Sequence, residues 1–130
     1  MDDTSFWGLI SHINTKQSHF GQIDLEPLVR ELSTQDDDVI DAFRGALIRV
    51  ASTLETKEHF RASNAGGDDS FLYACLHVIA MGKEHYDRVV ATPSLMTDES
   101  LEDLLGVDHE AKMLKDSDFE DEEDDGWLDV

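Results

Sequence analysis

The sequence predicts an all-α protein: a single compact multi-helix domain followed by an acidic C-terminal tail. Apolar residues recur at three- and four-residue spacing through most of the chain, and no segment alternates apolar and polar residues as a half-buried strand would. Hydrophobic residues make up 40% of the 130 residues, which is enough to build one core. We therefore divide the chain into a helical domain at residues 1–115 and a tail at residues 116–130.

Two short helices are predicted at the start of the chain. The first begins near Thr4 or Ser5, and its apolar face comprises Phe6, Leu9, Ile10 and Ile13. The second has an apolar face made of Leu25, Leu28, Val29 and Leu32. Asp24 is placed to cap this second helix, and Pro27 is tolerated because the first turn of a helix does not need its amide donor.

A third, longer helix is predicted because apolar residues form a stripe over about four turns. The stripe consists of Val39, Ile40, Phe43, Leu47, Val50, Ala51 and Leu54. Ser33 and Thr34 are candidates to cap the start of this helix. The polar stretch from Glu55 to Ala62 predicts one or two further helical turns, which end at a turn containing Gly66 and Gly67.

The segment from Ser70 to Met81 predicts a helix that is buried on all sides. Nearly every residue in it is apolar, and His77 is its only strongly polar side chain. Asp69 is placed to cap the start of this helix, and Gly82 is placed to end it.

Two more helices are predicted after Gly82. One runs from Glu84 to Ala91, with Tyr86, Val89 and Val90 facing inward, until Pro93 stops it. The other runs from Asp98 to Leu105, with Thr97 as its cap. A turn through Met113 and Leu114 is expected before the tail.

The charge of the chain is strongly negative and unevenly distributed. Thirty acidic residues stand against ten basic ones, for a formal charge of -20. Residues 1–96 hold fifteen acidic and eight basic residues, so they carry -7 and the remainder carries -13. This charge disfavours direct binding to nucleic acid or to an anionic membrane and favours encounter with a basic protein.

The composition also bears on compartment and class of protein. No apolar stretch approaches the length needed to span a bilayer, and nothing in the first residues resembles a basic segment followed by a long apolar run. The single cysteine, Cys75, cannot form an internal disulfide, which fits a reducing compartment. We therefore expect a cytoplasmic protein.

The tail is the main candidate for a partner-binding segment. It holds nine carboxylates, no basic residue, and an aromatic residue at Phe119 and at Trp127. A solvated, disordered terminus is one interpretation of such a segment. The other is docking, in which the carboxylates steer the encounter and the tryptophan is a buried anchor. The predicted contacts are Asp118, Phe119, Glu120, Asp121, Glu122, Glu123, Asp124, Asp125 and Trp127.

A second acidic patch is predicted at Asp36, Asp37 and Asp38. These residues also lie where a helix N-terminus favours negative charge, so they have a structural interpretation beside the binding one. Both interpretations remain open from the sequence.

Three features were considered as sites of chemistry. Asp68, Asp69 and Ser70 could hold a metal, but helix capping by Asp69 and an ion pair between Asp68 and a nearby arginine, Arg61 or Arg88, explain them as well. His77 is interpreted as a core histidine with a backbone or carboxylate partner. Cys75 is interpreted as an inert buried thiol. We therefore expect no catalytic residue, no metal and no cofactor.

Several motifs resemble those of the bacterial family called domain of unknown function 4240. They are the glycines and carboxylates from Gly66 to Phe71, the Gly82-Lys83-Glu84 turn followed by Tyr86, and Phe6-Trp7 near the N-terminus. The resemblance covers roughly residues 4–96 and implies a small helical domain. It brings no established activity, although some members look like immunity genes encoded beside secreted toxins.

Together these observations predict an immunity or antitoxin-type protein that binds a cognate basic toxin and occludes its active or substrate-binding surface. The alternative is an acidic protein, either a nucleic-acid mimic or a regulatory adaptor, that sequesters a basic factor. An enzyme is a third class, for which no group of residues passes a geometric test.

Overall fold

The structure is a computed structural model that describes residues 1–13 and 23–115. The described residues form an all-α domain with seven α-helices and no strand. Six helices are α1 (Asp3–Ile10), α2 (Glu26–Ser33), α3 (Asp37–Ser52), α4 (Lys57–Ser63), α5 (Asp68–Ala80) and α6 (Lys83–Ala91), and α7 occupies 107–115. Short 3-10 helices lie at Pro93–Leu95 and Glu102–Gly106.

Helix α5 lies at the centre of the domain and packs against α3, α4, α6 and the 3-10 helix at Glu102–Gly106. Seven of its residues are buried. The sequence predicted that this helix is buried on all sides. Leu72, Tyr73 and His77 are only half-buried, so the helix is covered on most sides but not on all of them. Gly82 ends the segment with a φ of 106°, a backbone conformation that glycine adopts without strain.

Aromatic rings and two buried polar side chains join the helices around α5. Phe6 of α1 stacks on Phe43 of α3 with ring centroids 5.4 Å apart. The Tyr86 hydroxyl of α6 donates to the Val50 carbonyl of α3 at 2.8 Å. His59 of α4 is 3% exposed, and its Nε2 lies 2.8 Å from the Val89 carbonyl of α6. These bonds satisfy polar atoms that would otherwise destabilise the interior.

Two predicted helix starts were wrong. Ser33 and Thr34 do not cap α3, because Ser33 lies inside α2, where its hydroxyl donates to the Arg30 carbonyl at 2.6 Å. The capping position of α3 is Asp36, which makes no side-chain capping bond. Asp69 does not cap α5 either, since the capping position is Gly67 and Asp69 lies in the first turn. The first-turn carboxylates still interact favourably with the helix dipole.

The segment after Met96 also differs from its prediction. Thr97 caps no helix, because its hydroxyl accepts the Glu99 amide at 2.9 Å and forms a local turn. The Leu101 amide donates to the Tyr73 carbonyl of α5 at 3.0 Å, which holds the segment in a non-helical conformation up to Glu102. Met113 and Leu114 belong to α7 and not to a turn.

Leu47 and Ile48 test the orientation of α3, because they are neighbours with opposite environments. Leu47 is 1% exposed and Ile48 is 41% exposed. We predict that Leu47→Ala lowers the free energy of unfolding by about 2–5 kcal/mol, since it leaves a cavity in the core. Ile48→Ala is the matched control and should cost less than about 1 kcal/mol. Urea denaturation followed by circular dichroism measures both, and equal losses would contradict the orientation of α3.

Candidate functional site

The tail residues predicted to bind a partner lie outside the described residues. They are Asp118, Phe119, Glu120, Asp121, Glu122, Glu123, Asp124, Asp125 and Trp127. The geometry of a candidate site therefore comes from the helical domain.

The predicted patch at Asp36, Asp37 and Asp38 lies at the start of α3, and its three members have different surroundings. Asp37 accepts from Lys115 Nζ at 3.0 Å, and this hydrogen bond lowers the pKa of its carboxyl. Lys115 also donates to the Gln35 carbonyl at 2.8 Å, so the pair joins the end of α7 to the start of α3. Asp36 and Asp38 are exposed and form no ion pair within the described ranges. Of the three, Asp36 and Asp38 therefore have no basic partner among residues 1–13 and 23–115.

Asp38 lies beside a groove between α1 and α3 with a volume of about 530 Å³. The groove exists because the two helices present opposing stripes of small or apolar residues at helical spacing. Its lining residues are Met1, Ser5, Gly8, Leu9, Gln35, Asp38, Val39 and Ala42. The groove therefore combines an apolar floor with a carboxylate at its edge.

A second candidate is the cleft beside His77, on the exposed side of α5. Its volume is about 600 Å³, and Asp98, Glu99 and Asp103 contribute three carboxylates to its walls. Ile23, Ser100 and Leu101 line the rest of the cleft together with His77. Outside this cleft, the Glu102 carboxylate, followed by burial and Asp69, raises the pKa of the Tyr73 hydroxyl on the same helix.

His77 has the carboxylate partner that the sequence predicted. Its Nε2 lies 2.9 Å from Glu99 Oε2, and its side chain is 14% exposed. The other ring nitrogen, Nδ1, is buried and has no hydrogen-bond partner in the part of the chain that the structure describes.

Sequence reasoning missed the carboxylates of the His77 cleft as a site. The signal was present, since Asp98, Glu99, Glu102 and Asp103 are four carboxylates within six residues. The sequence predicted one helix from Asp98 to Leu105, whereas the structure has a 3-10 helix only at Glu102–Gly106, so Asp98 and Glu99 lie in the non-helical segment before it. The contact of Glu99 with His77 spans 22 positions of the chain, and no local pattern predicts it.

The remaining candidates for chemistry are Asp68, Ser70 and Cys75. Ser70 is exposed, and Asp68 forms no ion pair with Arg61 or Arg88 in the part of the chain that the structure describes. Within that same part, no three metal-ligating side chains come together. Cys75 is fully buried, and burial followed by the nearby Glu55 charge raises the pKa of its thiol to about 12.

Most basic side chains in the described ranges pair with carboxylates of the same chain. Seven of the nine form ion pairs: Arg30–Glu26, Arg44–Asp108, Arg49–Asp3, Lys83–Asp87, Arg88–Glu84, Lys112–Asp41 and Lys115–Asp37. The same ranges hold twenty-one acidic residues, so the formal excess is twelve negative charges. The helical domain is therefore acidic in its own right.

Comparison with known proteins places the chain in a family. A family model described as "Protein of unknown function (DUF4240)" matches residues 1–122. The match extends beyond the 4–96 stretch that carried the resemblance and includes the start of the acidic tail. No curated protein and no solved structure matches the chain. No described helix is long and apolar enough to cross a membrane.

Cys75 should be unreactive in the folded protein. With a thiol pKa of about 12, the thiolate fraction at pH 8 is about 10⁻⁴, and the side chain is also inaccessible. We predict that, in the absence of denaturant, Ellman's reagent modifies Cys75 only at the rate at which the protein unfolds. In concentrated urea, where the protein is unfolded, the reaction should be rapid. Native reaction at the rate of free cysteine would contradict the position of Cys75 in the core.

Burial of His77 should make stability depend on pH. Burial lowers the pKa of His77, while Glu99 opposes this shift and His85 adds to it. The unfolded histidine takes up a proton near its ordinary pKa of 6.5, and the folded one does so only at lower pH. The unfolded state then binds more protons, so the stability is fully present above pH 6.5 and is lost as the pH falls toward the folded pKa.

The measurement is the free energy of unfolding in urea at several values from about pH 7.5 to about pH 5, for the wild type and for His77→Gln. The variant should lose less stability over this range. His85→Gln is the control for the second histidine, whose pKa is lowered first by burial and then by Arg88. An identical pH dependence in the wild type and His77→Gln would contradict the environment described for His77.

Proposed function

Because the chain belongs to the family described as a protein of unknown function (DUF4240), a description that assigns no activity, we propose its function from the chemistry of its own residues. The protein is an immunity or antitoxin-type protein. It binds a cognate basic toxin and occludes the active or substrate-binding surface of that toxin. It acts in the cytoplasm as a binding protein and not as an enzyme.

The observation that carries this proposal is the charge excess of the folded domain. Its basic side chains are largely engaged in internal ion pairs, while most of its carboxylates have no basic partner among the described residues. Such a surface repels phosphate and anionic lipid and attracts a cationic protein. A toxin that acts on nucleic acid or a nucleotide needs a positively charged cleft, which is the complementary surface.

The two regions around His77 and Asp38 support the same proposal. Asp98, Glu99 and Asp103 line one cleft, and Asp38 lines a groove on α1 and α3. A lysine or arginine of a partner would find a carboxylate in either place. Charge-assisted hydrogen bonds of this kind are stronger than neutral ones.

The tail adds a further acidic segment by sequence. Its nine carboxylates would accelerate encounter with a basic surface, and Trp127 has the size and amphipathic character of an interface anchor. Binding by steric occlusion requires no catalytic group in this chain. The alternative, a nucleic-acid mimic or adaptor that sequesters a basic factor, uses the same charge and differs only in the partner.

The test begins with the isolation of the partner. The full chain is used as bait in a lysate of the native organism, and bound proteins are identified by mass spectrometry. The proposal expects a basic toxin whose gene lies beside the gene of this protein, and whose activity the purified protein inhibits. A basic partner that is not a toxin and normally binds DNA or RNA would support the alternative, whereas an acidic partner would contradict both.

Deletion of residues 116–130 tests the role of the tail with the isolated partner. We predict that the deletion changes the melting temperature by less than about 2 °C, because a segment with nine carboxylates among fifteen residues is too polar to bury much apolar surface. Affinity for the partner should fall at least about tenfold, since nine carboxylates and Trp127 are lost. Isothermal titration calorimetry measures this change, and unaltered affinity would remove the tail from the binding surface.

A further inference from the structure

The floor of the groove between α1 and α3 is an apolar surface that the other described residues leave uncovered. Leu9, Val39 and Ala42 contribute apolar side chains to it, and Gly8 contributes none. A Cβ atom added at Gly8 would meet no atom of residues 1–13 or 23–115 within 4 Å, so these residues leave the space above Gly8 open. A partner could approach the α1 backbone closely at this point.

The edge of the groove is acidic, and part of that charge is not neutralised. Asp37 is paired with Lys115 and Asp41 with Lys112, but Asp36 and Asp38 have no basic partner in residues 1–13 or 23–115. Asp38 lines the groove itself. The apolar floor and the free carboxylate therefore lie on one continuous surface.

We propose that this groove binds an amphipathic helix of a partner protein, with apolar side chains lying over Gly8 and lysine or arginine side chains contacting Asp38. The inference rests on the proposed function and names the surface and the chemistry of the partner segment. An apolar stripe that enters a groove is a common mode of helix recognition. The acidic edge gives such a segment its orientation and its preference for basic residues.

The negative charge of the protein favours a basic helix over a membrane, a second copy of the chain or the tail as the occupant of the groove. An anionic membrane is repelled by a chain with a formal charge of -20. A second copy of the chain, or the acidic tail of the same chain, would bring negative charge toward Asp38 and is disfavoured for the same reason. A basic amphipathic helix is the occupant that complements both the floor and the edge.

Two designed peptides serve as probes of the groove. One is a helical peptide of about eighteen residues with leucines on one face and lysines on the other, and the second has the same lysines with glutamine at every leucine position. The full chain is titrated with each peptide by calorimetry and by amide NMR. We expect the leucine peptide to bind at least about tenfold more tightly and to shift the amides of Gly8, Leu9 and Ala42.

A pair of variants locates the binding. Gly8→Leu places a side chain in the groove and should fold, because Gly8 is exposed, its added Cβ meets no described atom within 4 Å, and leucine favours a helix more than glycine does. Gly45→Leu is the matched control, because Gly45 is an exposed glycine on α3 that also has open space but does not line the groove. Gly8→Leu should abolish the advantage of the leucine peptide, and Gly45→Leu should preserve it.

The possible outcomes separate this inference from the proposed function. Equal binding of the two peptides, weakened by salt, would overturn the groove as a docking site but leave charge recognition intact. Binding of neither peptide would contradict charge recognition, on which both proposals depend. Amide shifts at the groove caused by Trp127→Ala in the free protein would identify the tail as the occupant. Self-association lost in Gly8→Leu would identify a second copy, and either result would overturn the inference.

Discussion

Burial of α5 is the constraint on which the rest of the structure depends. A helix with so few polar residues must be covered on most sides, and α3, α4, α6 and the 3-10 helix at Glu102–Gly106 supply that cover. The segment leading into the 3-10 helix is held on α5 by the bond from Leu101 to Tyr73. It therefore brings Glu99 to His77 and places carboxylates around a cleft. The position of the cleft beside His77 is a consequence of how the central helix is covered.

The acidic character of the domain follows from the scarcity of basic side chains. Exposed ion pairs such as Arg30–Glu26 stabilise a protein only slightly, so their main effect here is to occupy the few cations present. Asp36, Asp38 and the carboxylates beside His77 keep their charge available to another molecule. A folded domain with this surface can recognise a basic protein by complementarity of potential, without contributing catalytic groups.

Local patterns predicted the elements of the fold better than the contacts between them. The stripe through Phe43 and Leu47 and the apolar run before Gly82 placed α3 and α5 correctly, because burial of one face dominates such segments. The prediction that Thr97 caps a helix was wrong, because its hydroxyl accepts the Glu99 amide in a local turn. The burial of His59 depends on the Val89 carbonyl, thirty positions away. The groove likewise joins residues near position 8 to residues near position 39, a juxtaposition that packing alone determines.

The most direct test of the central claim is the association rate constant of the protein with its isolated partner, measured by stopped-flow mixing at increasing salt concentration. Recognition through an acidic surface predicts that the rate constant falls at least about tenfold between roughly 0.05 M and roughly 0.5 M sodium chloride, while the dissociation rate changes much less. An association rate that is independent of salt would contradict the account.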